Sequence, residues 1–128
     1  MINILLVDDE SKVRQGWRMR LALEADMTVV GEAANVETAV PLAGVTRPDV
    51  ILLDIKMPRQ DGLSAIRQFH RAAPGCKVII VTIYDSPRQR AGAKAEGAVA
   101  FIAKQESPEH LLAAIRMAFT TLDLNLTS

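Results

Sequence analysis

The sequence contains little cysteine, few aromatic residues and no excess of either charge. Its single cysteine, Cys76, excludes an internal disulfide and indicates a reducing compartment. Lys and Arg together number 15, as do Asp and Glu, so the net charge gives no sign of direct contact with nucleic acid or with a membrane surface. The N-terminal apolar run is too short for a secretory signal, and no stretch approaches the roughly 18–20 apolar residues of a membrane helix. We therefore expect a soluble, cytoplasmic protein.

Small aliphatic residues dominate the composition. Hydrophobic residues make up 49% of the 128 residues and aromatic residues only 4%, which suits a compact α/β domain and argues against disorder. The length is that of one ordinary domain. We expect residues 1–122 to form this domain and residues 123–128 to be either the start of a linker or an artificial end of the chain.

Short aliphatic runs alternate with longer amphipathic stretches along the whole chain. This pattern predicts a parallel sheet with helices on both faces. The predicted strands are Ile2–Val7, Thr28–Glu32, Val50–Leu53, Val78–Thr82 and Val99–Ile102. The predicted helices are Lys12–Glu24, Val36–Ala43, Asp61 to the residue before Pro74, Pro87 to about Gly97, and Pro108 to about Leu122. The expected fold is flavodoxin-like: a doubly wound five-stranded parallel sheet in the order 2-1-3-4-5, with five helices.

Helical spacing also predicts which side chains enter the core. The inward residues would be Val13, Trp17, Leu21 and Leu23 in the first helix, Leu63, Ile66 and Phe69 in the third, and Leu111, Leu112, Ile115 and Phe119 in the fifth. The second helix is the weakest, because Pro41 lies inside it and is expected to end or kink it. Serine followed by proline, at Ser86 and again at Ser107, predicts the start of the fourth and fifth helices.

Carboxylates stand at the ends of two aliphatic strands. Asp8 and Asp9 follow the first strand, and Asp54 follows the third. In the order 2-1-3-4-5 the binding crevice falls between strands 1 and 3, so the three aspartates should converge there. Such a cluster repels itself, and either one carboxyl group takes up a proton with a raised pKa or a cation neutralises the cluster. Oxygen ligands without His or Cys favour a hard divalent cation, for which Mg²⁺ is the cytosolic default.

Two further polar residues end the remaining strands of the predicted crevice. Lys104 closes the fifth strand and brings a positive charge, and Thr82 closes the fourth and brings a hydroxyl group. A nucleophile, a cation site, an ammonium group and a hydroxyl donor are what phosphoryl transfer requires. The sequence therefore predicts a phosphoryl site with Asp54 as its nucleophile.

Four segments in order along the chain carry a family resemblance. They are "ILLVDDE", "VILLDIKMPRQDGL", "VIIVTIYD" and "AVAFIAKQESPEHLLAAI". With them the chain resembles a response-regulator receiver domain of two-component signal transduction. The last segment is similar to receivers that precede a helix-turn-helix output domain in transcription regulators.

The resemblance implies a set of roles for the acidic residues. Asp54 would accept a phosphoryl group from the phosphohistidine of a sensor histidine kinase. Mg²⁺ would be held by Asp9, Asp54 and the backbone carbonyl of Lys56, with Asp8 assisting through water. The protein would be a signalling switch that catalyses only its own phosphorylation and dephosphorylation.

The resemblance also implies how the signal leaves the site. Lys104 would pair with the phosphoryl oxygens and Thr82 would hydrogen-bond one of them, while Phe101 moves inward with Thr82. The surface of the fourth helix, fifth strand and fifth helix would then change, controlling a DNA-binding output domain outside this chain. A homodimer on phosphorylation is also implied, whereas direct contact of this segment with nucleic acid or membrane is not.

Three positions depart from the family pattern. Ile83 replaces a residue that is usually small, and Phe101 replaces a common tyrosine, so its ring has no hydroxyl group. Gln105 stands where many members have a proline in a cis bond. Because a cis bond to a residue other than proline costs about 2.5–4 kcal/mol, the bond between Lys104 and Gln105 is either trans or strained.

Two other functions remain open on the residues alone. A phosphatase or phosphotransferase could use the same acidic strand end, but such enzymes usually carry a second aspartate two residues after the nucleophile, where this chain has Lys56. A constitutive interaction module would keep the fold without phosphorylation, as Ile83 and Gln105 suggest. His70 and His110 have no ligand spacing and are expected to be surface residues rather than phosphoryl donors.

Overall fold

The computed structural model describes residues 1–54, 60–83 and 86–127. Strands and helices alternate through these ranges. The strands are β1 (Ile2–Val7), β2 (Met27–Ala33), β3 (Val50–Leu53), β4 (Lys77–Thr82) and β5 (Ala100–Ala103). The helices are α1 (Ser11–Leu21), α2 (Val36–Thr46), α3 (Gln60–Ala72), α4 (Pro87–Glu96) and α5 (Pro108–Thr127). Within the described part of the chain, no helix is both long enough and apolar enough to cross a membrane.

All neighbouring strands are parallel, and the sheet has the order β2-β1-β3-β4-β5. The predicted fold and strand order are confirmed. The order reverses between β1 and β3, where Val7 pairs with Leu53 as the last residue pair of the two strands. The next residues of both strands therefore emerge side by side at the carboxyl edge of the sheet, where a ligand crevice forms in this class of fold.

Two separate apolar cores cover the two faces of the sheet. Side chains alternate along β1, so Ile4 and Leu6 lie on one face of the sheet and Leu5 and Val7 lie on the other. The first face packs against α1 and α5, and the second packs against α2, α3 and α4. Because both faces are covered, the central strands β3 and β4 are mostly aliphatic on both sides, which is the pattern that identified the strands in the sequence.

Most of the predicted core positions are confirmed. Ile66, Phe69, Leu111 and Ile115 are completely buried, and Leu21 and Leu112 are nearly so. The side chains of Val13, Trp17 and Phe119 are half-buried. Leu23 was predicted wrongly: α1 ends at Leu21, two residues earlier, and the Leu23 side chain is 75% exposed. The side chain of Leu63 lies outside the described residues.

Several element ends differ from the predicted ones. β2 is one residue longer at each end, and β5 lies one residue later in the chain than expected. α5 continues to Thr127, five residues beyond its predicted end, because the sequence after Leu122 contains no proline or glycine to stop it. The division of the chain at residue 122 stays a prediction.

The end of α4 near Gly97 is confirmed, and it explains the position of His70. Gly97 has φ +109°, and a Cβ atom on it would lie 3.0 Å from the His70 Cε1 atom, so both conformation and space favour glycine. His70 is half-buried rather than fully at the surface. Burial, assisted by the charge of Lys77, lowers the pKa of His70.

Helix α2 runs through Pro41 instead of ending near Ala43. Pro41 removes one backbone hydrogen bond from the helix interior, yet its ring is exposed. Ala39 and Ala43 on either side of it are completely buried and hold α2 against the sheet. Tertiary packing therefore outweighs the local preference of proline.

We predict that Pro41→Ala raises the free energy of unfolding by about 1–3 kcal/mol, because the helix regains a hydrogen bond and loses a steric conflict. Urea unfolding followed by circular dichroism measures the change. The matched control is Pro87→Ala: Pro87 is the first residue of α4, where the missing N–H has no helical partner, so no comparable gain is expected. Equal effects at both positions would contradict this explanation.

Candidate functional site

Three charged side chains project from the carboxyl ends of β1, β3 and β5. They belong to Asp8, Asp54 and Lys104. The residue two positions before each of them lies in the core on the α1 and α5 face; these core residues are Leu6, Leu52 and Ile102. Because side chains alternate along a strand, Asp8, Asp54 and Lys104 continue on that same face. The sheet register and the strand period thus bring together residues that are up to 96 positions apart in the sequence.

Asp8, Asp9 and Asp54 form an acidic cluster. Each offers one carboxylate oxygen, and these oxygens lie within 4.8 Å of one another. The side chains of Asp8 and Asp54 are only 6% and 4% exposed, whereas Asp9 is exposed. Asp8 Oδ1 accepts a hydrogen bond of 2.9 Å from the backbone N–H of Glu10, and the backbone N–H of Asp54 donates to the Val7 carbonyl. The segment between β1 and α1 therefore fixes the Asp8 carboxylate, and the sheet fixes the backbone of Asp54.

Lys104 compensates the charge of this cluster. Its Nζ atom lies 3.0 Å from Asp8 Oδ2 and 3.3 Å from Asp54 Oδ2, and its side chain is 16% exposed. Burial acts to lower the pKa of Lys104, but the two carboxylates outweigh it and the pKa is raised. The stabilisation from this contact is therefore fully present at neutral pH and is lost as the pH rises through the elevated pKa of the folded protein.

The donor set of the cluster fits Mg²⁺. Two ligands on opposite sides of Mg²⁺ lie about 4.2 Å apart, so the Asp9 and Asp54 oxygens need little movement to share one ion, and the Asp8 carboxylate is near enough to reach it through a water ligand. The exposed side of Asp9 leaves room for the water ligands that Mg²⁺ retains. Lys56, whose backbone carbonyl was predicted to be a further ligand, lies outside the described residues.

Thr82 and Phe101 lie toward the opposite face of the sheet from the three charged residues. Ile80, two residues before Thr82, belongs to the core on the α2, α3 and α4 face, and Phe101 packs against that core. Ile80 pairs with Phe101, and the carbonyl of Thr82 accepts a 2.7 Å hydrogen bond from the Lys104 N–H. Thr82 is 1% exposed, whereas the neighbouring Ile83 is 57% exposed.

Arg90 covers the ring of Phe101. The guanidinium carbon of Arg90 lies 4.9 Å from the ring centroid, and its Nη1 atom donates to the Phe101 carbonyl at 3.3 Å. These contacts join α4 to β5. This pair could not be predicted from the sequence, because it depends on how α4 docks beside β5 rather than on spacing within either element.

Arg14 is a second residue whose role the sequence did not reveal. The sequence places it among the arginines of α1 that fill a solvated or partner-binding face. In the structure its side chain is 18% exposed; it donates to the carbonyl of Asp8 and pairs with Glu32 on β2. Arg14 therefore fixes the backbone on which the acidic cluster is built.

The family model described as the response regulator receiver domain matches residues 4–116. The chain is 39% identical over 117 residues to the uncharacterized transcriptional regulatory protein YxjL of Bacillus subtilis, covering 91% of this chain and 54% of that protein. The chain thus spans about half the length of this curated relative.

Solved structures give the same likeness. A two-component response regulator of the LuxR family from Aurantimonas sp. SI85-9A1 matches with a TM-score of 0.85 and 28% identity, covering 93% of this chain and 85% of that one. A response regulator protein from Burkholderia pseudomallei, solved with a phosphorylated aspartic acid, calcium ion and citrate, matches with a TM-score of 0.76 and 26% identity, covering 98% of this chain and 72% of that one.

We predict opposite effects from changing the charges of the site in metal-free buffer at neutral pH. Lys104→Met should lower the free energy of unfolding by about 1–2 kcal/mol, because two buried carboxylates lose their counter-charge. Asp9→Asn should raise it by about 0.5–1 kcal/mol, because one of three repelling charges is removed. Urea unfolding measures both, with Lys94→Met on the exposed surface of α4 as the neutral control. A stabilising Lys104→Met would refute the charge balance.

Proposed function

Because the chain belongs to the response regulator receiver domain family, we propose that it is a phosphorylation-controlled switch whose phosphoacceptor is Asp54. The observation that carries this proposal is the position of Asp54. Its carboxylate lies beside those of Asp8 and Asp9 and 3.3 Å from the ammonium group of Lys104. The donor is a sensor histidine kinase, with which receivers of this family work. The phosphorylated aspartic acid of the matching Burkholderia protein supports the same assignment.

In the proposed reaction a carboxylate oxygen of Asp54 attacks the phosphorus atom of the kinase phosphohistidine. A P–O bond forms, the P–N bond breaks, and the imidazole nitrogen keeps the electron pair and takes up a proton. The product on Asp54 is an acyl phosphate. Lys104, now 3.3 Å from Asp54 Oδ2, would pair with a phosphoryl oxygen, and the hydroxyl group of Thr82 would donate a hydrogen bond to another.

Asp9, Asp54 and the Lys56 carbonyl would hold Mg²⁺, with Asp8 assisting through water. When bound, the ion neutralises the cluster and the charge that develops on the phosphoryl group. Asp8 is the best placed to keep the site ordered, because it contacts both the Lys104 ammonium group and the backbone of the α1 loop. Hydrolysis of the acyl phosphate at the same site would return the switch to its resting state.

The proposed output surface consists of α4, β5 and α5. Only Gln89 and Ala93 among the ten residues of α4 are buried, so this helix is weakly anchored in the core. Phe101 is half-buried under Arg90 in the present conformation. Movement of Thr82 toward the phosphoryl group would open space on the side of the sheet that Phe101 shares, and the ring would leave Arg90 and move inward.

The same comparisons support a role in transcription. YxjL is named as a transcriptional regulatory protein and the Aurantimonas protein as a LuxR-family response regulator, and this chain spans about half the length of YxjL. We propose that the receiver controls a DNA-binding output domain, that it works in the cytoplasm, and that phosphorylation promotes a homodimer. A small-molecule phosphatase is not favoured, because Lys56 occupies the position of the second aspartate that such enzymes use.

We predict that acetyl phosphate with Mg²⁺ adds one phosphoryl group to the protein, as measured by intact mass. Asp54→Asn should show no gain, and removal of Mg²⁺ by a chelator should abolish the gain of the wild-type protein. The matched control is Glu37→Gln, which removes an exposed carboxylate from α2 and should phosphorylate normally. Absence of any gain on the wild type would favour the constitutive interaction module.

We predict that Arg90→Ala shifts the unphosphorylated protein toward its phosphorylated conformation by about fivefold, because loss of the ring contact removes about 1 kcal/mol of bias. The methyl resonances of Ile102, compared with those of the phosphorylated wild type, measure the populations. Arg88→Ala on the same helix is the control and should leave them unchanged. A shift in the reverse direction would show that Arg90 does not hold the resting state.

A further inference from the structure

The turn after β5 is closed by a side chain from within the turn. The backbone N–H of Glu106 donates to the Ala103 carbonyl at 2.9 Å, and the Ala103 N–H donates back to Glu106 Oε2 at 2.9 Å. Both backbone polar groups of Ala103 are therefore bound by one residue. Among the residues that the structure describes, β5 is an edge strand that pairs only with β4, and no further described strand accepts the outward N–H of Ala103.

Lys104 is the residue that this closed turn carries. It directly follows Ala103, and its own N–H is fixed to the Thr82 carbonyl at 2.7 Å. Its backbone is thus held from the β4 side by Thr82 and from the outer side by the ring between Ala103 and Glu106. A lysine carries its ammonium group at the end of a long, flexible stem. A shift of the Lys104 backbone would change the point from which that stem reaches Asp8 and Asp54, so the position of the ammonium group depends on how firmly the backbone is held.

No proline supports this turn, since Gln105 follows Lys104, and there is no cis peptide bond among the described residues. The carboxylate of Glu106 supplies a restraint at this point instead. Its other oxygen lies 3.3 Å from His110 Nδ1, one turn into α5, and its side chain is 30% exposed. The start of α5 does not need Glu106 as a cap, because the Ser107 hydroxyl group accepts from the His110 N–H.

We propose that Glu106 is a positioning residue that holds Lys104 in reach of Asp8 and Asp54 by closing the turn around Ala103. Its effect on phosphorylation rests on the proposed function, whereas its effect on the placement of the Lys104 ammonium group does not. The hydrogen bond from the Ala103 N–H, rather than the negative charge of Glu106, is the part that matters.

Three variants separate the hydrogen bond from the charge. Glu106→Gln keeps an acceptor oxygen at the same reach and removes the charge. Glu106→Asp keeps the charge and withdraws the carboxylate by one methylene, and Glu106→Ala removes both. Glu109→Ala, three residues later and exposed, is the matched control. Thermal unfolding of each variant establishes that it is folded.

The first readout is the ¹⁵Nζ ammonium resonance of Lys104 at one fixed pH in the unphosphorylated protein, which is observable only while the group is held in its ion pairs. The second is the initial rate of phosphorylation by acetyl phosphate. We expect the resonance to persist in the wild type, Glu106→Gln and Glu109→Ala and to be lost in Glu106→Asp and Glu106→Ala. We expect the last two to phosphorylate about tenfold more slowly.

Two results would overturn this role. One is a Lys104 resonance that is unchanged in Glu106→Asp and Glu106→Ala; the other is loss of the resonance in Glu106→Gln to the same extent as in Glu106→Ala. If the wild type is not phosphorylated, the proposed function fails, while the resonance still decides whether Glu106 positions Lys104.

Discussion

The ammonium group of Lys104 lies between carboxylates from two different strands, and the acidic edge of the sheet depends on that contact. Asp8 and Asp54 are almost completely buried, a position that is unfavourable for a carboxylate without a compensating charge. Lys104 contacts two of the three acidic side chains of the cluster, Asp8 and Asp54. Oxygen ligands gathered in this way are the kind that a hard divalent cation prefers.

The fold could be predicted because its signals are local. Each signal can be read within a few residues of the sequence. The signals are the aliphatic runs of the strands, serine followed by proline at the start of two helices, and glycine at the end of α4. The ends of α2 and α5 were predicted wrongly. Buried alanines hold α2 against the sheet beyond Pro41, and α5 continues past Leu122 because no proline or glycine follows to stop it. Leu23 fits the period of α1 but lies beyond its end.

The charged residues of the site were predictable from strand ends combined with strand order, but their supporting residues were not. Three supporting side chains form hydrogen bonds with the backbone of residues in or next to the site. Arg14 bonds to Asp8, Arg90 to Phe101 and Glu106 to Ala103. Such contacts depend on rotamers and on the docking of one element against another, and a single sequence contains no periodic signal for either. Arg14 resembles a solvated helix residue until its side chain is seen to turn inward.

Helix α4 contributes just two of its ten residues to the interior, so most of its outward positions, with the exception of Arg90, carry little structural constraint. Substitutions at those positions do not enter either apolar core. Such a helix can therefore vary in sequence among related domains, and with it the surface that each domain presents, while the sheet and its acidic edge stay the same.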